Sequence, residues 1–279
     1  MSRFDPMILL LKKTARSFRD AVFPPRCLAC RSFFVRSDHG IRDAAASEGT
    51  GVDAIRQGLS PFLCDECLAG VRAVESPLCP RCGMMFRERV SDDHLCGTCL
   101  TEPGRLSMAR AFGVYERSLM QVIRAFKYRG KVQLARPLGR LLFQAYQACY
   151  GAGQGPDLIL PVPLHKRRFR QRGFNQAFLM LKEWSDRLDH GQPDQTPRIV
   201  RDGLLRTRKT KPQAGLDKKS RKTNIKGAFA LASGCDVKGR HVLLVDDVYT
   251  TGSTAAECAR ALLGGGASRV DILTVARAL

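Results

Sequence analysis

The sequence predicts an α/β domain, a parallel sheet flanked by helices, preceded by a smaller cysteine-rich module. Three observations carry that reading. Four Cys-x-x-Cys pairs lie before residue 100, and strand-like and helix-like stretches alternate from Ser107 onward. One buried strand also runs into two acids and a Thr/Gly/Ser loop. A chain of 279 residues accommodates one full domain and a small module. Its formal net charge of +20 predicts polyanionic partners, whether nucleic acid, anionic lipid or phosphorylated metabolites.

Three segments are expected, at 1–23, 24–104 and 105–279. In the first, Ile8 to Val22 reads as an amphipathic helix. The apolar run from Met7 to Leu11 is far shorter than the roughly 20 residues of a membrane span. Lys12-Lys13 follow it with no small-residue cleavage site. No membrane insertion is expected, and the location predicted is cytoplasmic.

Segment 24–104 contains Cys27/Cys30, Cys64/Cys67, Cys79/Cys82 and Cys96/Cys99. Two intervening residues let both thiolates turn to one point, and a second pair completes a tetrahedron suited to Zn²⁺. Redox chemistry is the rival use of such a pair, but four in tandem favour metal. Sequential pairing gives two closed structural sites, a tandem zinc ribbon, although sequence alone leaves the pairing open. The first ribbon carries an insert from Val35 to Leu59 that is rich in small and polar residues. His39 and His94 are expected at the surface. Cys149, Cys235 and Cys258 are expected to behave as small buried hydrophobes.

The elements after Ser107 follow in order. Ala109 to Tyr115 reads as a strand, and Leu119 to Tyr128 and Gln133 to Tyr150 as helices. Asp157 to Val162 is a short buried strand, followed by a basic loop and a helix from Asn175 to Asp189. His241 to Val245 is a second buried strand, Thr254 to Leu263 a helix and Arg269 to Ala276 a last strand. Such alternation predicts a parallel sheet covered on both faces.

The second buried strand runs into Asp246-Asp247 and then Thr250-Thr-Gly-Ser-Thr254. Ligands of open α/β sheets bind beyond the carboxyl ends of strands. A hydroxyl-rich loop there, with a helix N-terminus behind it, suits a phosphate. Thr254-Ala-Ala-Glu257 fits a capping box for that helix. Two carboxylates beside the phosphate suit vicinal ribose hydroxyls, since ionised Asp only accepts hydrogen bonds. A sugar phosphate is the predicted ligand.

The stretch from His241 to Thr254 resembles the phosphoribosyl pyrophosphate (PRPP) signature of type I phosphoribosyltransferases. Other stretches add to it: Phe126-Lys-Tyr-Arg-Gly-Lys131, Pro161-Val-Pro-Leu-His165, Arg172-Gly-Phe-Asn-Gln-Ala177 and Asn224-Ile-Lys-Gly-Ala-Phe229. Together with the cysteine pairs, nearly the whole chain resembles the competence protein ComF family. That resemblance implies a type I phosphoribosyltransferase-like sheet and a role in natural competence and DNA uptake. It implies competence helicase or recombination proteins as candidate partners. Asp246 and Asp247 would hold the ribose hydroxyls. Thr250, Thr251, Gly252, Ser253 and Thr254 would hold the 5-phosphate, with Mg²⁺ bridging ribose and pyrophosphate oxygens. Lys166 and Arg167, nearest the end of the first buried strand, are the catalytic candidates for the pyrophosphate. Leu205 to Asn224 corresponds to a mobile hood that excludes water. Thr250 stands where purine-type members carry an acid, so no general acid or base is assigned, and the acceptor is not legible.

Between Leu164 and Lys226 there are 18 Lys/Arg against 6 Asp/Glu, more than one pyrophosphate needs. Single-stranded DNA is therefore the second candidate ligand, with Phe169 and Phe174 available for base stacking.

Overall fold

The computed structural model describes residues 22–35, 55, 58–86, 92–102, 104–151, 155–188, 196–208, 210 and 223–279. Residues 8–21 of the predicted Ile8–Val22 helix, most of the Val35–Leu59 insert, His39 and much of the Leu205–Asn224 segment lie outside them.

Two short helices, α1 (Asp65–Ala69) and α2 (Gly97–Thr101), start directly after Cys64 and Cys96. The sheet begins with β1 (Met108–Val114), followed by α3 (Arg117–Tyr128) and α4 (Ala135–Tyr150). Strand β2 (Leu158–Pro161) leads into α5 (Lys166–Arg172), α6 (Gln176–Met180) and α7 (Ser185–Leu188). Strand β3 (Arg198–Ile199) precedes the antiparallel hairpin of β4 (Leu204–Arg206) and β5 (Phe229–Leu231). The chain closes with β6 (His241–Tyr249), α8 (Ser253–Gly264) and β7 (Arg269–Arg277).

Five strands form one parallel sheet in the order β1-β7-β6-β2-β3. Continuous burial explains why β2 and the start of β6 are unbroken apolar runs rather than alternating ones. One face packs Leu243, Val245 and Val275 against Phe126, Leu142 and Trp184. The other packs Val242, Leu244 and Ile272 against Phe229, Cys258 and Leu262. Cys258 is buried as expected, whereas Cys149 and Cys235 are only partly so.

The cysteine-rich segment is not separate from this core. Leu59, Leu63 and Leu68 belong to the same apolar cluster as Phe126. The outer edge of β1 is covered by the same segment: Val114 N–H donates to Arg72 (2.9 Å), Val74 N–H to Phe112 (2.9 Å) and Ala109 N–H to Arg81 (2.7 Å). An edge strand that would otherwise template aggregation is closed in this way.

The elements themselves differ from the sequence expectation in three places. The helix expected from Asn175 to Asp189 is broken into α6 and α7 by a turn at residues 181–184. Trp184 is buried there, and its indole N–H donates to the Gly139 carbonyl (3.1 Å). A Cβ on Gly139 would lie 2.3 Å from the Met180 carbonyl oxygen, so α4 and α6 meet backbone to backbone. Packing against α4 overrides the helical period. The basic loop after β2 is instead helix α5: His165 caps it by accepting the Arg167 N–H (3.2 Å), and Gly173, at φ 82°, ends it. Finally, β6 runs on to Tyr249, which places both acids on the strand itself.

Candidate functional site

Strand β2 continues to β3 on one side of the sheet, and β6 to β7 on the other. Their neighbouring carboxyl ends therefore diverge, which is where open α/β sheets bind ligands. A cavity of about 590 Å³ opens at this point, lined by the ends of β2 and β6, the loop before α8, and parts of α3 and α5.

Consecutive strand residues face opposite sides of a sheet. Asp247 accordingly turns toward α3, where the Lys127 ammonium meets its Oδ1 at 2.6 Å. Both are largely buried, with side-chain exposures of 16% and 3%. Burial opposes the Lys127 charge, but the charges of Asp247 and Asp246 outweigh it and raise the lysine above its usual range. The other Asp247 oxygen, Oδ2, is buried with no hydrogen-bond partner among the described residues. Asp246 sits on the opposite face, and its Oδ1 accepts the Asp247 N–H (2.8 Å). Burial first, and then the neighbouring Asp247 charge, pushes Asp246 up to about 7.

Five cations line the cavity against these two carboxylates: Arg124, Lys127, Arg168, Arg172 and Arg206. Lys166 and Arg167 are exposed on α5 and are not among the lining residues; Arg168 and Arg172, on the same helix, take that place. Arg206, from β4, lies over the Phe229 ring (5.3 Å) and donates to the Thr210 hydroxyl. Its Nε is buried with no partner among the described residues. Burial first, then the positive Arg168, lowers it to about 10.

In the loop, Thr250, Gly252, Ser253 and Thr254 line the cavity. Thr251 does not, and its hydroxyl bonds that of Ser253 (2.9 Å). The predicted capping box does not form. Helix α8 starts one residue earlier, with Gly252 as N-cap at φ 71°, and Glu257 instead accepts from the Gly227 N–H (2.6 Å) and Arg260 (2.7 Å). Gly252 is required on two counts, its positive φ and a built Cβ only 2.3 Å from the Tyr249 hydroxyl.

The eight paired cysteines form two clusters, Cys27/Cys30/Cys64/Cys67 and Cys79/Cys82/Cys96/Cys99, with each set of sulfurs within 4.8 Å of one another. The Cys30–Cys64 and Cys82–Cys96 sulfurs are each 3.7 Å apart. A tetrahedron with metal–sulfur bonds of about 2.3 Å has edges of about 3.8 Å, so both clusters fit a tandem zinc ribbon. His94 stacks on Phe86 (3.9 Å between centroids) and belongs to neither set.

Lys127 and Arg206 were not singled out by sequence. A signal for Lys127 exists: it lies four residues after Ile123 on the buried face of α3, where a lone cation needs a partner. Arg206 carries no such local signal.

This combination of sheet, switch-point cavity and hydroxyl-rich loop defines a phosphoribosyltransferase-type domain, and residues 176–279 match the family model described as "Phosphoribosyl transferase domain". The chain belongs to the family of competence protein F and DNA utilization protein YhgH. It is 37% identical over 220 residues to "DNA utilization protein YhgH" of Escherichia coli (strain K12), covering 78% of this chain and 91% of that protein. It is 33% identical to "Competence protein F" of Haemophilus influenzae, with coverage of 77% and 90%. "Competence protein ComFC" of Bacillus subtilis is 27% identical, with coverage of 77% and 84%. No helix among the described residues is long and apolar enough to cross a membrane.

Proposed function

We propose that the chain binds Mg-PRPP in the crevice between β2 and β6 and transfers or senses ribose 5-phosphate during DNA uptake and use. The observation that carries this reading is the acid pair and hydroxyl-rich loop leading into the α8 N-terminus, inside a cavity with five cations. In this reading Thr250, Gly252, Ser253 and Thr254 hold the 5-phosphate through hydroxyls and backbone amides, and Thr251 positions the Ser253 hydroxyl. Asp246 and the unpartnered Asp247 oxygen accept from the ribose hydroxyls. Mg²⁺ brought in with the ligand would supply charge neutralisation for the pyrophosphate. If transfer takes place, an acceptor nucleophile bonds to the anomeric carbon of the ribose as the bond to pyrophosphate breaks, and Arg168, Arg172 and Arg206, rather than Lys166 and Arg167, would neutralise the charge that leaves with pyrophosphate. Segment 105–279 is the transferase unit, and 24–104 holds two structural zinc ions.

Titration of the whole protein with Mg-PRPP tests this. Saturable binding to wild type, weakened at least about tenfold (about 1.4 kcal/mol) in Asp247→Ala, is expected. No wild-type binding, or equal binding by the variant, overturns it.

A second reading, single-stranded DNA as ligand, is favoured by one surface. Tyr128 is 73% exposed at the cavity rim, with the Arg172 guanidinium 5.3 Å from its ring, and Phe169 is 41% exposed nearby on α5. Phe174, by contrast, stacks on buried Phe126 (5.4 Å) and is not a free platform. Binding of an oligothymidylate is expected to fall more than about tenfold between 50 and 200 mM salt, and a few-fold further in Tyr128→Ala. Absence of binding at low salt sinks this reading.

A further inference from the structure

Arg277 ends β7 and is not among the residues that line the cavity. The residue is 5% exposed, and no carboxylate lies within ion-pair distance among the described residues. A buried cation without a counter-charge is costly. Its partners are elsewhere. One guanidinium nitrogen donates to the Cys82 carbonyl, and another lies 3.7 Å from the Cys82 sulfur. Four thiolates around a divalent metal carry a net charge of about −2, so the second cluster, once loaded, is the anion Arg277 faces.

The other side of the same guanidinium covers the Tyr249 ring, 4.9 Å from its centroid. Tyr249 and Arg277 are register partners across β6 and β7, and the Ala278 N–H donates to the Tyr249 carbonyl (2.9 Å). The Tyr249 hydroxyl in turn occupies the space where a Cβ of residue 252 would lie, beside Gly252, the left-handed residue that opens α8 and lines the cavity. A continuous path of contacts therefore runs from a cysteine ligand, through one arginine and one tyrosine, to the loop.

We propose that Arg277 is a positioning residue that couples the second four-cysteine site to the phosphate loop. Metal at Cys79/Cys82/Cys96/Cys99 then favours the loop geometry that binds a phosphorylated ligand. This rests on the reading that residues 250–254 hold a phosphate. Coupling between two binding sites is reciprocal, so the ligand must also hold the metal more tightly.

The test is equilibrium competition for zinc between the full-length zinc-loaded protein and a colorimetric chelator, with and without saturating Mg-PRPP, alongside calorimetry of Mg-PRPP binding on the same samples. In wild type, Mg-PRPP is expected to raise the affinity for one of the two zinc equivalents by about fivefold, within the usual range of coupling between sites. Arg277→Met is expected to bind zinc and Mg-PRPP, the latter more weakly, and to lose that gain. Chelation of zinc by PRPP itself would lower the apparent affinity, the opposite sign. Should Arg277→Met not fold, Tyr249→Leu removes the loop end of the path and is expected to lose the gain as well while still binding Mg-PRPP by calorimetry. Zinc affinity indifferent to PRPP in a wild type that binds PRPP overturns the coupling alone, as does a gain that persists in a variant that binds PRPP. A wild type that binds no PRPP overturns both the phosphate site and the coupling.

Discussion

Replacing Lys127 by methionine is expected to cost about 3–5 kcal/mol of folding stability and to abolish ligand binding at the cavity. The cost does not come from losing an attractive pair as such, because two buried charges lose hydration about as large as their mutual attraction. It comes from what remains. Asp247, 3% exposed in its side chain, would keep a buried carboxylate with no cation at 2.6 Å. Its second oxygen already lacks a partner among the described residues. Thermal or urea denaturation of the whole protein measures the loss. The double variant Lys127→Met/Asp247→Asn separates the causes: removing both charges is expected to recover most of the stability while leaving the cavity unable to bind Mg-PRPP. A loss under about 1 kcal/mol in the single variant would show that solvent already screens the pair.

Asp246→Asn is expected to act in the opposite direction, stabilising the ligand-free protein by up to about 4 kcal/mol at pH 8 while removing PRPP affinity. Asp246 is raised from 3.8 to about 7, by burial first and the Asp247 charge second. Folding therefore takes up a proton at this position. The group's favourable contribution is complete below about pH 4 and is lost as pH rises through about 7. A rise from 3.8 to about 7 corresponds to about 4 kcal/mol once the pH exceeds the raised value. Asparagine keeps the oxygen that accepts the Asp247 N–H and carries no charge to bury. The stability gap between variant and wild type should thus be near zero at pH 4 and widen up to about pH 7. A gap independent of pH would show that the Asp246 carboxyl does not titrate in this window. A stabilising replacement that destroys binding is the trade-off expected of a strained functional group.

The two residues show how far the chain can be read without its fold. Asp246 and Asp247 were legible because a buried strand, two acids and a hydroxyl-rich loop are consecutive in sequence. Their different environments were not. The strand turns one acid to Lys127 and the other to the opposite face, and only the packing of α3 on β6 creates that difference. Basic residues after β2 were legible as a group. Which of them face the cavity depended on α5 forming at all, and on its rotation, which turns Arg168 and Arg172 inward and leaves Lys166 and Arg167 in solvent. The break between α6 and α7 was invisible because its cause, the backbone of α4 at Gly139, is some 40 residues away in the chain.

An α/β sheet behind a cysteine-rich module is determined by the sequence itself. Apolar runs, acids, turn residues and cysteine spacing are local patterns, and local sterics and hydrogen bonding are enough to interpret them. The tertiary structure alone decided that the module shares a core with the sheet and closes the β1 edge. It also decided that Arg277 faces Cys82 across 195 residues of chain. Such contacts form when distant surfaces are driven together by burial of apolar area. Which charge then meets which is a property of the folded arrangement and leaves no trace in the order of residues along the chain.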